Sequence, residues 1–359
     1  MKGGVFSRRR FVAGLAAGAA AGAGLALRPA RALTFAGGPR RLRIDAATDL
    51  DAMVPVIEAF QQANPDVTID YSDLGTRDLY EGFLDAMAKG RPVADVMMSS
   101  SMDLQIKLVN DGYALHHSSA ATEGLPDWAV WRNEAFGFTF EPAVFAYNRK
   151  FFGAVQPPQS RWELIDQLRE HPEIYQDRIA TYDIEDSGVG YLMATQDSRQ
   201  TPAFWDLMLG MAERQPQRLA TTAQMMDGLA DGRYALAYNA LGSYAQRWAE
   251  RSPDIGIALP SDYMLVLSRI AFLPKAALHP ELGARFLDFV LSLAGQQVLA
   301  NQSSLGAVRP EAASAHDLVA AAKGPLRPIR LGPGLLVHLD DVKRRIFLRQ
   351  WRTTLGLRG

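Results

Sequence analysis

The chain has 359 residues, 48% hydrophobic and 21% charged, with 30 Gly, 20 Pro and no Cys. That apolar content excludes a disordered tail, and the absence of thiols excludes a disulfide scaffold and thiolate metal or iron-sulfur sites. A balance of 38 basic against 39 acidic residues excludes a strongly basic nucleic-acid binder, and the length allows one large or two ordinary domains.

The charge is unevenly spread. Residues 1–32 hold Lys2, Arg8, Arg9, Arg10, Arg28 and Arg31 and no Asp or Glu; taking these six from 38 leaves 32 basic against 39 acidic residues, a net of -7. The same segment has a charged start ending in Ser7-Arg8-Arg9-Arg10-Phe11, an Ala/Gly-rich apolar stretch to Leu27, and a small-x-small site at Ala30-Arg31-Ala32. This order predicts a signal peptide, and the adjacent arginines resemble the twin-arginine export signal, which carries folded cargo. The apolar stretch falls short of the ~20 residues that span a bilayer comfortably, and no other segment is long and apolar enough to cross a membrane. The mature chain is expected to begin near Leu33, to act in the periplasm, and to be too acidic to attract DNA, RNA or anionic lipid.

Arg41 to Ala47 predicts a strand, and Asp49 to Asn64 a helix with apolar Met53, Val56, Ile57 and Phe60, stopped by Pro65. Val67 to Tyr71 alternates as a strand, Thr76 to Ala88 has helical spacing, and Ala94 to Met98 is a buried strand leading into a helix over Met102 to Asp111. Such β-α alternation predicts a mainly parallel sheet with helices on both faces and ligands bound beyond the carboxyl ends of its strands.

Phe136 to Asn148 is an unbroken extended run that predicts a strand leaving the first lobe. A second set follows: a strand over Arg178 to Tyr182, helices over Gly188 to Gln196 and Pro202 to Gln215, and a strand over Tyr234 to Asn239. Strand character resumes at Tyr263, which places a second crossing near Pro260. Two crossings imply two lobes and a cleft, with lobe 1 over residues 33–143 and 262–320, lobe 2 over 144–261, and a C-terminal helical extension over 321–359. In that extension Leu339, Val342, Ile346, Leu348 and Trp351 have helical spacing beside a basic patch, Lys343-Arg344-Arg345, which predicts a terminal helix packed across a lobe.

The run Pro274 to Gln297, with His279-Pro280-Glu281 and Phe286-Leu287-Asp288-Phe289-Val290-Leu291-Ser292, resembles the helix pair of periplasmic solute-binding proteins of ABC transporters. Phe60 with Asn64-Pro65, the Ala94-Asp95-Val96 strand and Leu108 to Tyr113 extend the likeness over most of residues 40 to 310. Within that family the chain is similar to the iron, phosphonate and sugar-phosphate cluster, and Ser100 to Gln105 resembles the binding-protein-like component of phosphoglycerate transport regulation. The resemblance implies a type II fold of two α/β lobes closing on a ligand by hinge motion.

Ser99, Ser100 and Ser101 stand where a strand ends and a helix begins, so hydroxyls, unpaired N–H groups and the positive helix end meet at one spot suited to an anion. Tyr182, Ser187 and Gly188, in a strand-turn-helix of the second lobe, offer a matching device; a similar Ser/Thr-Gly loop lines the family's cleft. Asp183, Glu185 and Asp186 oppose an anion there unless they point to solvent or bind a cation. Thr48 and Asp49 follow the first strand, and Tyr147-Asn148 at the first crossing and Tyr238-Asn239 at a later strand end each place a phenol and an amide where the cleft is expected. Arg77 is suited to bidentate pairing with phosphate or carboxylate.

Ferric iron is the sharpest competing ligand, but there is no Tyr-Tyr pair, and a metal site would need Tyr147, Tyr182 and Tyr238 together. Neither a metal nor a cofactor is expected. No Gly-x-Ser-x-Gly, His-Glu-x-x-His, P-loop or dinucleotide fingerprint is present, which argues against an enzyme. The expectation is a monomeric receptor for a small anionic organophosphate or carboxylate, partnered by an inner-membrane ABC permease or, alternatively, a sensor kinase.

Overall fold

The computed structural model describes residues 31–303, 305–312 and 318–357. The twin-arginine motif and apolar stretch of the expected leader lie outside these residues. The expected leader and the described chain overlap at Arg31 and Ala32, which open the first strand, β1 (Arg31–Phe35), paired antiparallel with β3.

The first lobe is built from β2 (Arg40–Ala47), α1 (Leu50–Ala63), β3 (Val67–Asp73), α2 (Thr76–Ala88), β4 (Val96–Ser99), α3 (Met102–Asn110), a short α4 (Ala120–Glu123), β5 (Val130–Trp131) and β6 (Ala135–Gly137). The second contains β7 (Glu141–Asn148), α5 (Arg161–Glu170), α6 (Pro172–Tyr175), β8 (Ile179–Tyr182), α7 (Gly188–Gln200), α8 (Phe204–Ala212), β9 (Gln217–Leu219), α9 (Thr222–Ala230), β10 (Leu236–Leu241), α10 (Gly242–Arg251), β11 (Ile255–Ala258) and β12 (Met264–Leu267). β13 (Ile270–Phe272), α11 (Pro280–Leu291) and α12 (Leu293–Gln302) return to the first lobe, and β14 (Leu326–Pro328) and α13 (Asp341–Thr354) lie on the second.

Among the described residues the sheets run β1-β3-β2-β4-β13-β6-β5 and β14-β12-β7-β10-β8-β9, with β11 also on β7. Each has the expected parallel heart, β3-β2-β4 and β10-β8-β9. The crossing strands β7, β12 and β13 add antiparallel neighbours, because a strand that passes between sheets by a short link enters in the opposite sense.

The second crossing does not fall near Pro260. β12 pairs with β7, Val266 opposite Pro142 and Leu267 opposite Glu141, so the chain stays in the second sheet through Leu267 and crosses at Ser268-Arg269. The first crossing is likewise Phe138 to Phe140, since β7 belongs to the second sheet from Glu141. Resumed strand character at Tyr263 marks a strand without saying which sheet receives it. The C-terminal segment is also more than an extension: β14 is an edge strand in parallel register with β12.

Lobe 1 packs Phe60 edge-on to Phe286 and Phe289, with centroids 5.2 and 5.7 Å apart, which joins α1 to the α11 segment singled out above. In lobe 2, Phe347 and Trp351 of α13 are buried with Phe204, Leu207 and Tyr191. Burying such a phenylalanine contributes roughly 2–3 kcal/mol, enough to hold α13 in place. The expected buried stripe is rotated, because Val342 and Ile346 face solvent. Asp340 caps α13 by accepting from the Lys343 amide at 3.0 Å, so the helix starts anew there and takes its own phase.

Candidate functional site

Three strand-to-helix junctions of each lobe form the facing surfaces. Lobe 1 presents Thr48-Asp49 between β2 and α1, Leu74-Gly75 before Thr76 of α2, and Ser99 to Ser101 between β4 and α3. Lobe 2 presents Asp183 to Ser187 before α7, Ala220-Thr221 before α9, and the first turn of α10 after Leu241. Helix starts carry unpaired N–H groups and partial positive charge, so this arrangement concentrates both between the lobes.

Contacts across the lobes centre on α2, α3 and α7. The Gly188 amide donates to Thr76 Oγ1 at 3.1 Å, and Arg77 donates to the Glu185 carbonyl. A Cβ on Gly188 would stand 2.6 Å from Ser101 Oγ and 2.9 Å from Thr76 Oγ1, so only glycine allows this approach. Ser187 caps α7 by accepting from the Gly190 amide at 3.1 Å, and the Ser99 hydroxyl accepts from the Ser101 amide at 3.1 Å. Ser101 Oγ donates to Asp103 at 2.9 Å; burial pushes the Asp103 carboxyl up to about 6, although that hydrogen bond favours its charged form.

The acids that oppose an anion at α7 are largely matched. Asp183 pairs with Arg218 at 3.1 Å, and Glu185 takes the Arg352 Nε at 3.0 and 3.1 Å on its two oxygens. The Arg352 hydrogen bonds hold the Glu185 carboxyl below the usual range. Asp186 is exposed.

Both crossings meet at a buried ion pair. Arg269 Nε donates to Glu141 Oε1 at 2.7 Å, and its Nη1 reaches the Ala47 carbonyl and Thr48 Oγ1, both at 3.1 Å. Ser243 of α10 donates to the other Glu141 oxygen at 2.6 Å. Burial works against the Arg269 charge, and Glu141, Tyr244 and Asp49 together outweigh it, holding the guanidinium above its ordinary pKa. Tyr244, partly buried against the core, hydrogen-bonds Asp49 across the lobes. A groove of about 260 Å³ opens beside this hinge, lined by Asp49, Asp73, Asp227, Arg247, Trp248 and Arg251 among others.

The structure therefore brings together Thr48, Asp49, Arg77, Ser99, Ser100, Ser101, Ser187 and Gly188 on the facing surfaces. Tyr182 stands at the end of β8 with its hydroxyl on Thr222. Tyr147 and Asn148 do not join them. β7 enters its sheet at Glu141, so its last residues are at the far end: the Tyr147 hydroxyl takes Arg149 at 3.3 Å, and Asn148 bonds the Leu229 carbonyl and the Lys150 amide. Tyr238 and Asn239 are also turned away, into a buried cluster around Asp197 of α7. A bulge with Asn239 at φ 56° lets these neighbours share one side of β10, and Arg161 pairs with Asp197 at 3.0 Å. The three tyrosines weighed for iron thus bond to different partners, Arg149, Thr222 and Asp197, and burial holds the Tyr182 and Tyr238 phenols above their ordinary pKa. Among the described residues no group of three His, Asp or Glu is placed to hold a metal ion.

Thr76, Glu141, Ser243, Tyr244 and Arg269 belong to the surfaces and were not singled out from sequence. Leu241-Gly242-Ser243 obeys the strand-end rule already applied to Ser99, and Glu141 and Arg269 are charges at the ends of apolar strands.

Two α/β lobes joined by short crossings, facing one another through strand-to-helix junctions, define a two-lobed receptor of type II, built to grip a solute and not to transform it. Residues 56–325 match the model of bacterial extracellular solute-binding proteins, and the chain belongs to that family. It is similar to the substrate binding protein of an ABC transporter from Agrobacterium tumefaciens, at 41% identity over 91% of this chain and 98% of that one, with a TM-score of 0.86. The fold is shared with AfuA from Actinobacillus pleuropneumoniae, solved with fructose-6-phosphate (17% identity, 89% of this chain, 99% of that one, TM-score 0.72). It is shared too with iron-bound HitA from Pseudomonas aeruginosa (18% identity, 88% of this chain, 99% of that one, TM-score 0.68). Comparison with curated protein sequences gives no match.

Proposed function

We propose that this protein is the exported receptor of an ABC transporter, capturing a small anionic metabolite, an organophosphate or carboxylate, between its lobes and presenting it to an inner-membrane permease. The observation that carries this reading is the convergence of the α2, α3 and α7 starts, with Thr76, Ser101 and Gly188 in mutual reach. Aligned N–H groups and hydroxyls in a water-poor gap favour an anion over a neutral solute. The fold of the sugar-phosphate-bound AfuA supports it. Closure on the ligand then stabilises one arrangement of the lobes, the one a permease would recognise. Export by the twin-arginine route and action as a monomer in the periplasm are part of the same proposal.

The test is calorimetry of the mature protein against sugar phosphates, phosphoglycerates, phosphonates, dicarboxylates, neutral sugars and ferric iron. Saturable binding of a phosphate or carboxylate without turnover is the expected result. Binding of neutral sugars alone, or of iron alone, overturns the anion reading.

A further inference from the structure

The α7 start carries a contradiction: it faces the proposed anion, yet an acidic turn, Asp183 to Asp186, leads directly into it. Its resolution comes from outside the family match, which ends at residue 325. α13 sends Arg352 onto both carboxylate oxygens of Glu185, while Arg77 of the opposite lobe holds the carbonyl of the same residue. Glu185 is thus the one residue of the turn gripped from two sides. α13 is firmly placed to do this, with Trp351 next to Arg352 buried and the His338 carbonyl accepting the Tyr191 hydroxyl at 2.6 Å. A second guanidinium, Arg344, lies over the Tyr191 ring at 5.3 Å, one helical turn from the Ser187 cap, and forms no ion pair among the described residues. Lobe 2 supplies a partner for Asp183 in Arg218.

We propose that Arg352 is a specificity-determining residue of the solute site, acting through Glu185: it cancels that carboxylate's charge, so that the α7 start attracts an anion. This rests on the anion reading above. Arg352 is a positioning residue, since it bonds Glu185 and not the ligand, and the C-terminal helix becomes part of the binding apparatus. Without Arg352, Glu185 loses its hydrogen-bonded counter-charge and keeps only the more distant Arg218 and Arg344, so it repels an incoming anion and favours a neutral or cationic guest.

The experiment is calorimetry of the full mature chain with fructose 6-phosphate, 3-phosphoglycerate and inorganic phosphate as probes, for wild type, Arg352→Gln, Glu185→Gln and the double variant. Arg352→Gln is expected to weaken binding about fivefold, the size of effect an exposed charge exerts on a neighbour, and more at low salt. Glu185→Gln should bind at least as well as wild type, and the double variant should return to wild-type affinity. That recovery separates charge cancellation from a merely structural pair, which the double variant also lacks. An unaffected Arg352→Gln, or a double variant as weak as the single one, overturns the proposal while leaving the anion reading intact. A wild type that ignores all three probes and dicarboxylates but binds iron or a neutral sugar overturns both.

Discussion

The guanidinium of Arg269 and the carboxylate of Glu141 meet at 2.7 Å where the two crossings run side by side, both fully buried. The first residue of one crossing strand and the last link of the other are therefore fastened together. Through Thr48 and Ser243 the same pair touches the facing surfaces of both lobes. The two crossings are joined by a buried charge network that reaches both lobes.

Removing one partner leaves the other charge buried and uncompensated, which typically costs about 3–5 kcal/mol. Arg269→Met should lower the unfolding free energy by that order, read as a lower urea midpoint at unchanged slope. The joint replacement Arg269→Met with Glu141→Leu should recover much of the loss. Equilibrium denaturation followed by tryptophan fluorescence measures both; a joint variant no better than the single one would show that geometry, not charge, sets the cost.

Gly188→Ala tests closure directly. Its methyl would meet Ser101 Oγ at 2.6 Å and Thr76 Oγ1 at 2.9 Å, contacts made only across the lobes. The expected outcome is an open protein of near wild-type Tm whose affinity for every solute falls about tenfold or more, since the closed state that grips the ligand is penalised. Small-angle scattering with and without ligand reads the loss of compaction.

Much of this architecture was legible in the residues. The spacing of Leu79, Phe83 and Met87 predicts α2 over the residues it occupies, and the serines after β4 stand where strand-end logic places them. The failures share a cause. Tyr147-Asn148 and Tyr238-Asn239 have the right chemistry, but their orientation depends on which end of a strand meets the crossing and on a bulge at Asn239, both set by tertiary pairing. Glu141 and Arg269 are 128 residues apart in sequence, and nothing local to either announces the other.

Ser101→Glu places a carboxylate at the α3 start, where an anion is to sit. Like charge in a site shielded from water should abolish binding of phosphates and carboxylates, while Ser101→Ala, which loses one hydroxyl, should weaken it only a few-fold. Calorimetry with fructose 6-phosphate and 3-phosphoglycerate decides; a Glu variant that still binds either would move the site away from α3.

Asp103 supplies a pH dependence. Burial raises its carboxyl from the ordinary 3.8 to about 6, so between these values the folded protein holds a proton that the unfolded chain has released. Stability attributable to this group is therefore largest below pH 4 and falls as pH rises through about 6, by on the order of 2–3 kcal/mol across the window. Asp103→Asn keeps an oxygen to accept from Ser101 but cannot ionise, so it should be more stable than wild type at pH 7 and level with it near pH 4. The same proton matters to a bound anion, because ionised Asp103 puts a negative charge one hydrogen bond from Ser101. Affinity for an organophosphate with a fixed charge, such as a phosphate diester, should accordingly rise from pH 7 to pH 5 in wild type and stay flat in Asp103→Asn. Thermal denaturation and calorimetry at pH 4, 5, 6 and 7 measure the two effects separately, and a wild-type affinity that falls with acidification would place the ligand's charge away from the α3 start.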